Sequence, residues 1–129
     1  MRAYVGVTAQ EVKEFLESRV LDVSDVYAAT GVFIAQNNDL DEEEIEYTLS
    51  LIAAEDALEL KSDSSGSACV LAFEVPDEII GATHEMSISL NAPLTWELLE
   101  CCFEVSDDGE ELTWFATQEI VNNLSSWLG

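Results

Sequence analysis

The chain has 129 residues, 48% of them hydrophobic, with three Trp, three Tyr and five Phe, and a formal net charge of -23 from 27 Asp and Glu against four Lys and Arg. That length and apolar content exclude a disordered chain and allow about two thirds of the unfolded surface to be buried, so residues 1–129 are expected to form a single globular domain. The sign of the charge excludes steering toward nucleic acid, whose duplex carries about one negative charge per 1.7 Å, and disfavours anionic membranes. A basic protein or a divalent cation would be drawn in.

The opening MRAYVGV falls short of the roughly 7 to 15 apolar residues of a signal peptide core. No run approaches the roughly 18 apolar residues of a membrane span. Cys69, Cys101 and Cys102 are odd in number and too few for a disulfide framework. A cytoplasmic setting is expected.

MRAYVGV is β-branched and aromatic enough for an opening strand. Thr8 with Glu11 then forms a capping box, flanked by Val7 and Val12 as a hydrophobic staple, and the helix carries Val12, Phe15, Leu16 and Val20 on one stripe. DVYAAT reads as a short strand, and GVFIAQ fits either a strand or a short helix. In NDLDEEEIEY (38–47), Asp41 is placed as an N-cap, Glu44 as its box partner, and Leu40 and Ile45 as the staple. The longest helix is expected over about residues 42 to 60, with Ile45, Thr48, Leu49 and Ile52 on its apolar face and Leu51 and Leu58 beside them.

KSDSSGSA is a loop, and CVLAFEVP is a strand ending at Pro76. HEMSISL alternates with period two, which puts Met86, Ile88 and Leu90 on one buried face. APLTWELLE is expected as a short helix with Pro93 near its first turn. CCFEV and ELTWFA flank the Asp108-Gly109 turn signal of a hairpin, and Thr117 is placed to cap a last helix with Ile120, Val121, Leu124, Trp127 and Leu128 inward. The order implies an α+β sandwich of about six mostly antiparallel strands covered by about four to five helices. Strand order stays open.

Six of the ten residues in NDLDEEEIEY are carboxylic acids. Acids in a first helical turn complement the dipole, but a dipole of about half a unit charge does not account for six. A calcium loop starting at Asp39 would need Gly at its sixth position and Glu at its twelfth, where this chain has Glu44 and Ser50. Asp39, Glu42, Glu43 and Glu46 are the surplus, and Glu42 and Glu46 repel at their four-residue spacing. A second acidic cluster holds Asp107, Asp108, Glu110 and Glu111. Trp114 and Phe115 alternate beside it, so one faces the core, and an exposed one near Gln118 would be a contact anchor.

Catalytic and metal chemistry find little support. His84 is the single histidine and reads as a strand-end surface residue, while adjacent Cys101 and Cys102 point to opposite faces as small hydrophobes. No Gly-rich phosphate loop or nucleophile elbow occurs. No cofactor, metal or catalytic residue is assigned.

Three blocks, MRAYVGVT, DEEEIEYTLSLIAAEDAL and ELTWFATQEI, resemble a family of small uncharacterised actinobacterial proteins that share an N-terminal MRxYV strand and a C-terminal hairpin ending in W[FY]ATQE. The resemblance implies a bacterial, cytoplasmic, single-domain protein and carries no function.

The first functional expectation is a non-enzymatic protein that docks a basic partner, such as a nucleic-acid-binding protein whose DNA surface it would mimic, with no direct nucleic-acid or membrane binding of its own. Its contact residues are expected among Asp39, Glu42, Glu43, Glu46, Asp107, Asp108, Glu110, Glu111, Trp114 and Gln118. One alternative is a small enzyme or small-molecule binder that uses a carboxylate cluster with Mg2+ or Mn2+. Another is acidity that serves only solubility or a salty cytoplasm.

Overall fold

The computed structural model describes residues 1–129. β1 (Arg2–Thr8) leads directly into α1 (Ala9–Ser18). The capping box is present: the Thr8 hydroxyl accepts the Glu11 amide at 3.2 Å, and the Glu11 carboxylate accepts the Thr8 amide at 3.0 Å. Arg19 closes α1 in the left-handed conformation, with φ 66° and its amide on the Phe15 carbonyl. Val20 therefore leaves the helical stripe expected of it and enters β2 (Val20–Leu21) as an exposed residue. After β3 (Asp25–Ala28), the buried Thr30 hydroxyl accepts the Phe33 amide and starts α2 (Gly31–Gln36), which resolves GVFIAQ as helix.

α3 (Glu42–Lys61) begins with the expected box, in which the Asp41 carboxylate accepts the Glu44 amide at 2.8 Å and the Glu44 carboxylate accepts the Asp41 amide at 3.0 Å. Its buried residues are Ile45, Leu49, Ser50, Ala53, Ala54 and Ala57, whereas Thr48, Leu51, Ile52 and Leu58 of the expected face are only half-buried. The reason lies across the interface at Gly6. A Cβ there would stand 2.2 Å from the Ala53 carbonyl oxygen and 2.8 Å from the Ala57 nitrogen. The helix backbone rests on the strand backbone, and only small side chains fit between them.

β4 (Ala68–Glu74) is followed by a short 3-10 turn, β5 (Ile80–Thr83), β6 (Ser87–Leu90) and β7 (Leu94–Thr95). Met86 packs with the α3 side while Ile88 and Leu90 pack on the other, so the expected three-residue stripe breaks at its first member. APLTWELLE is not a helix. Leu94 and Thr95 pair with Leu21 and Val20, the Trp96 amide donates to the Arg19 carbonyl at 3.0 Å, and Trp96 packs against Phe15 at 4.9 Å between ring centroids. These tertiary contacts override the local helical preference.

β8 (Leu99–Val105) and β9 (Leu112–Ala116) form the expected hairpin, with Gly109 at φ 76° in its turn. α4 (Ile120–Leu128) closes the chain. Thr117 does not cap it, because the Thr117 hydroxyl donates to the Leu99 carbonyl and the preceding residues form a 3-10 turn. Ile120, Leu124 and Trp127 are buried, while Val121, expected inside, is exposed.

Seven strands form one open antiparallel sheet in the order β5-β6-β3-β1-β4-β8-β9, and β2 pairs with β7 in a second, two-stranded sheet. The α+β class holds, with four α-helices and more strands than the six expected. Alternation along the central strands feeds two cores. Ala3, Val7, Cys69, Leu71 and Cys102 pack with α1 and α4, and Tyr4, Val70, Ala72, Cys101 and Val105 pack with α3 and Phe33 of α2. β4 is consequently buried on both faces.

Gly6→Ala should lower stability by about 1 to 3 kcal/mol, because the added methyl meets backbone that cannot move without displacing α3. The measurement is the urea midpoint at unchanged m value. A midpoint equal to that of the parent chain would show that α3 does not rest on Gly6.

Candidate functional site

α3 divides its face of the sheet, with a hollow along each flank and a shallow one at its start. On the first flank, β9 brings Trp114 to the α3 side because Trp114 pairs with Phe103, which shares its face with buried Cys101 and Val105. Trp114 is 57% exposed and Tyr47 of α3 is 53% exposed. Together with Glu46, Ser50 and Phe103 they line a groove of about 340 Å³. Tyr47 also borders the hollow at the helix start, where Glu43 lies. Glu43, Glu46, Tyr47 and Trp114 thus form one continuous surface. Asp39 and Glu42 are exposed at the same helix end.

Arg2 lies in the floor of that groove. Its guanidinium is 6.0 Å from the Tyr4 ring centroid and 3.7 Å from the Cys101 sulfur, and its Nε is buried with no hydrogen-bond partner. Burial acts to lower the Arg2 pKa, but the neighbouring Tyr4, Cys101 and Glu46 outweigh it, so the group is held above its ordinary value. Burial likewise raises the Cys101 thiol, which stays protonated despite Arg2 nearby. All three cysteines are free and buried, including both members of the Cys101-Cys102 pair.

The second acidic cluster does not join this surface. Asp107 and Glu111 line a separate hollow with Glu104 and Thr113. Thr113 alternates with Trp114 and pairs with Glu104, which in turn pairs with Cys69 of the α1–α4 core, so this hollow opens on the opposite face of the sheet. Asp108 is used by the turn itself. Its carboxylate accepts the Ser106 hydroxyl at 2.6 Å and the Glu110 amide at 2.9 Å, and the Ser106 bond is the main reason its pKa is lowered. Glu110 is exposed beside it, and Gln118 is exposed in the 3-10 turn beyond β9.

The largest hollow, about 550 Å³, runs along the other flank of α3 and holds residues that the sequence did not single out. Asp56 and Glu59 reach it from α3, and Asp25 and Tyr27 from β3. The Tyr27 hydroxyl donates to the Asp56 carboxylate. The three-residue spacing of Asp56 and Glu59 on one helix edge was the available signal; Asp25 had none, since only strand order brings it there. The three acids do not converge as a metal-ligand set. His84 is exposed, with its ring 4.0 Å from Asp25.

The acids have few partners. The ion pairs are those of Met1 with Glu74 and His84 with Asp25, so no Lys or Arg side chain is within 4.0 Å of a carboxylate. Arg19 instead lies over Trp96 at 5.2 Å.

The chain belongs to a family of unknown function, DUF6912, whose model matches residues 1–104. Comparison with curated proteins and with solved structures returns no match. Arg2, Tyr4, Glu46, Tyr47 and Phe103 lie within the matched residues, and Trp114 lies beyond them. No helix is long and apolar enough to cross a membrane.

Tyr27 makes the helix-flank hollow sensitive to high pH. Its phenol is pushed up to about 12, first by the hydrogen bond to Asp56, then by burial and by the charges of Asp56, Glu55 and Glu59. A folded pKa above the ordinary value of about 10 means that the folded chain keeps a proton that the unfolded chain loses. This contribution to stability is complete below about pH 10 and disappears as the pH rises through the folded value. The stability advantage of the parent chain over Tyr27→Phe should therefore shrink between about pH 9 and pH 12 in urea titrations. A constant difference would rule out the Tyr27–Asp56 bond as its source.

Proposed function

We propose that the chain is a non-enzymatic interaction protein, working in an actinobacterial cytoplasm, whose α3 face docks a basic partner. A nucleic-acid-binding protein is the class of partner that its charge suits. The observation that carries this reading is the meeting of Trp114 and Tyr47, both more than half exposed, with Glu46 in one groove, and with Glu43 in the adjoining hollow that Tyr47 also borders. Exposed aromatics in a depression are the kind of residue that anchors protein contacts, and surrounding charge selects the sign of the partner.

The state of the carboxylates supports it. None is paired with Lys or Arg, so a basic partner meets charges that it does not have to free from an internal ion pair. Lysine or arginine from the partner also fits over the Trp114 ring. The net charge of -23 speeds association from a distance. That steering weakens with salt, because charges beyond about 8 Å are screened at physiological ionic strength.

The tagged chain should retain basic proteins from a bacterial lysate at low salt and release them as salt rises. Trp114→Ala should weaken the strongest captured interaction by about tenfold or more, a loss of at least about 1.4 kcal/mol. Glu43→Gln with Glu46→Gln should slow association and flatten its salt dependence. Asp107→Asn with Glu111→Gln removes the same charge from the opposite face and should have a smaller effect. Equal effects of the two pairs would reduce the role of the acids to net charge, and a salt-insensitive partner or none would defeat the reading.

A further inference from the structure

One cation breaks the pattern of the α3 face. In the two hollows on the flanks of α3 and the one at its start, Arg2 is the only Lys or Arg, and it lies in the groove that holds the exposed Trp114. An arginine in so acidic a chain would be expected to take a carboxylate. Arg2 takes none: its recorded bond is a long contact to the Cys101 sulfur, a weak acceptor, and its Nε is closed off without any partner. Tyr4 and Cys101 are the polar groups beside the fork, and no carboxylate of the chain lies within 4.0 Å of it, so the guanidinium keeps its charge without an acid to pair it.

Its neighbours suggest a role for that charge. Glu46 lines the same groove but is not within 4.0 Å of Arg2. The groove therefore presents a cation and an anion side by side without joining them, and Trp114, Phe103 and Leu112 supply apolar surface beside both. A free anion would be repelled by the net charge of -23. A basic segment would be attracted, and one that ends in this groove would bring a carboxylate with it.

Resting on the docking reading above, we propose that the groove receives the C-terminal end of a basic protein. The terminal carboxylate takes the guanidinium of Arg2, the last apolar side chain lies against Trp114 and Phe103, and preceding lysines or arginines meet Glu46 and Glu43. Arginine suits this role because its planar fork matches a carboxylate with two parallel hydrogen bonds. Terminal carboxylate capture is a known way for a surface to read the end of a chain.

The test compares an acetylated peptide of alternating lysine and arginine ending in leucine, once as the free acid and once as the C-terminal amide, by calorimetry at low salt. The amide carries one more net positive charge, so general attraction to this chain favours it. Carboxylate capture predicts the reverse, with the acid tighter by about tenfold. Arg2→Gln should cancel or invert that preference, with its fold checked by circular dichroism. Arg2→Lys should keep part of the preference, since the charge remains and the fork is lost.

An amide that binds as well as or better than the acid would overturn the capture while leaving basic docking in place. An acid preference that survives Arg2→Gln would remove Arg2 from the role. Absence of binding by both peptides, where fluorescence and calorimetry agree, would remove the docking reading and the inference together.

Discussion

The backbone-to-backbone approach of α3 and β1 at Gly6 is the constraint from which the surface of this protein follows. With the Ala53 oxygen and the Ala57 nitrogen where a Cβ would otherwise be, the helix lies low over the central strands. A helix held that close needs alanine on its contact stripe, so its larger side chains move to the flanks. Leu51, Ile52 and Leu58 are half-buried there, and Leu60 is exposed. One 20-residue helix is also too narrow for a seven-stranded sheet. The strands on either side of it are only partly covered on that face, where α2 adds Phe33, and the two flanking hollows lie in those margins.

Charge is arranged by the same layering. No Asp or Glu is buried, and the buried polar residues are Thr30 and Ser50, each with a hydrogen-bond partner. The acids therefore avoid the large desolvation cost of an interior charge, at the expense of repulsion among themselves at the surface. Part of that repulsion has a structural use. β5 and β9 are open sheet edges, and exposed Glu110 and Glu111 precede β9 while Glu78 and Glu85 flank β5. Acids at an edge discourage pairing with another copy of the chain. Others, such as Asp41, Glu44, Glu11 and Asp108, hold local turns through hydrogen bonds. Asp39, Glu42, Glu43 and Glu46 do neither, and of these Glu43 and Glu46 line the hollows beside Tyr47.

Signals contained within a few residues were legible in the sequence. The boxes at Thr8 and Asp41 and the hairpin at Gly109 all depend on spacing and turn chemistry that are visible locally. The α3 face was misread because periodicity weighs apolar size, whereas a close contact selects for the lack of it. APLTWELLE was misread because its partners, Val20 and Leu21, are distant in sequence. The candidate site divided in the same way. Trp114 as an exposed aromatic could be anticipated from alternation, but its place beside Glu46 depends on strand order, as does the separation of Asp107 and Glu111 onto the other face. Asp25, Asp56 and Glu59 were hidden for the same reason.

The position of Arg2 follows from β1 as directly as that of α3 does. Alternation puts Arg2, Tyr4 and Gly6 on one face of the strand, so the residue that seats the helix and the residue that floors the groove are four apart on a single edge of contact. Tyr4 fills the space between them and is buried. The neighbouring strands then decide what Arg2 meets: β4 pairs with β8, and Cys101 of β8 brings a sulfur where an acid would have closed an ion pair. With Glu46 on the helix and Trp114 on the edge strand, the guanidinium is surrounded by groups that hold its charge without saturating its donors. Arg2 thus has no carboxylate within 4.0 Å in a chain of 27 acids, and that follows from strand order, since β1 alone does not decide which residues surround its first side chain.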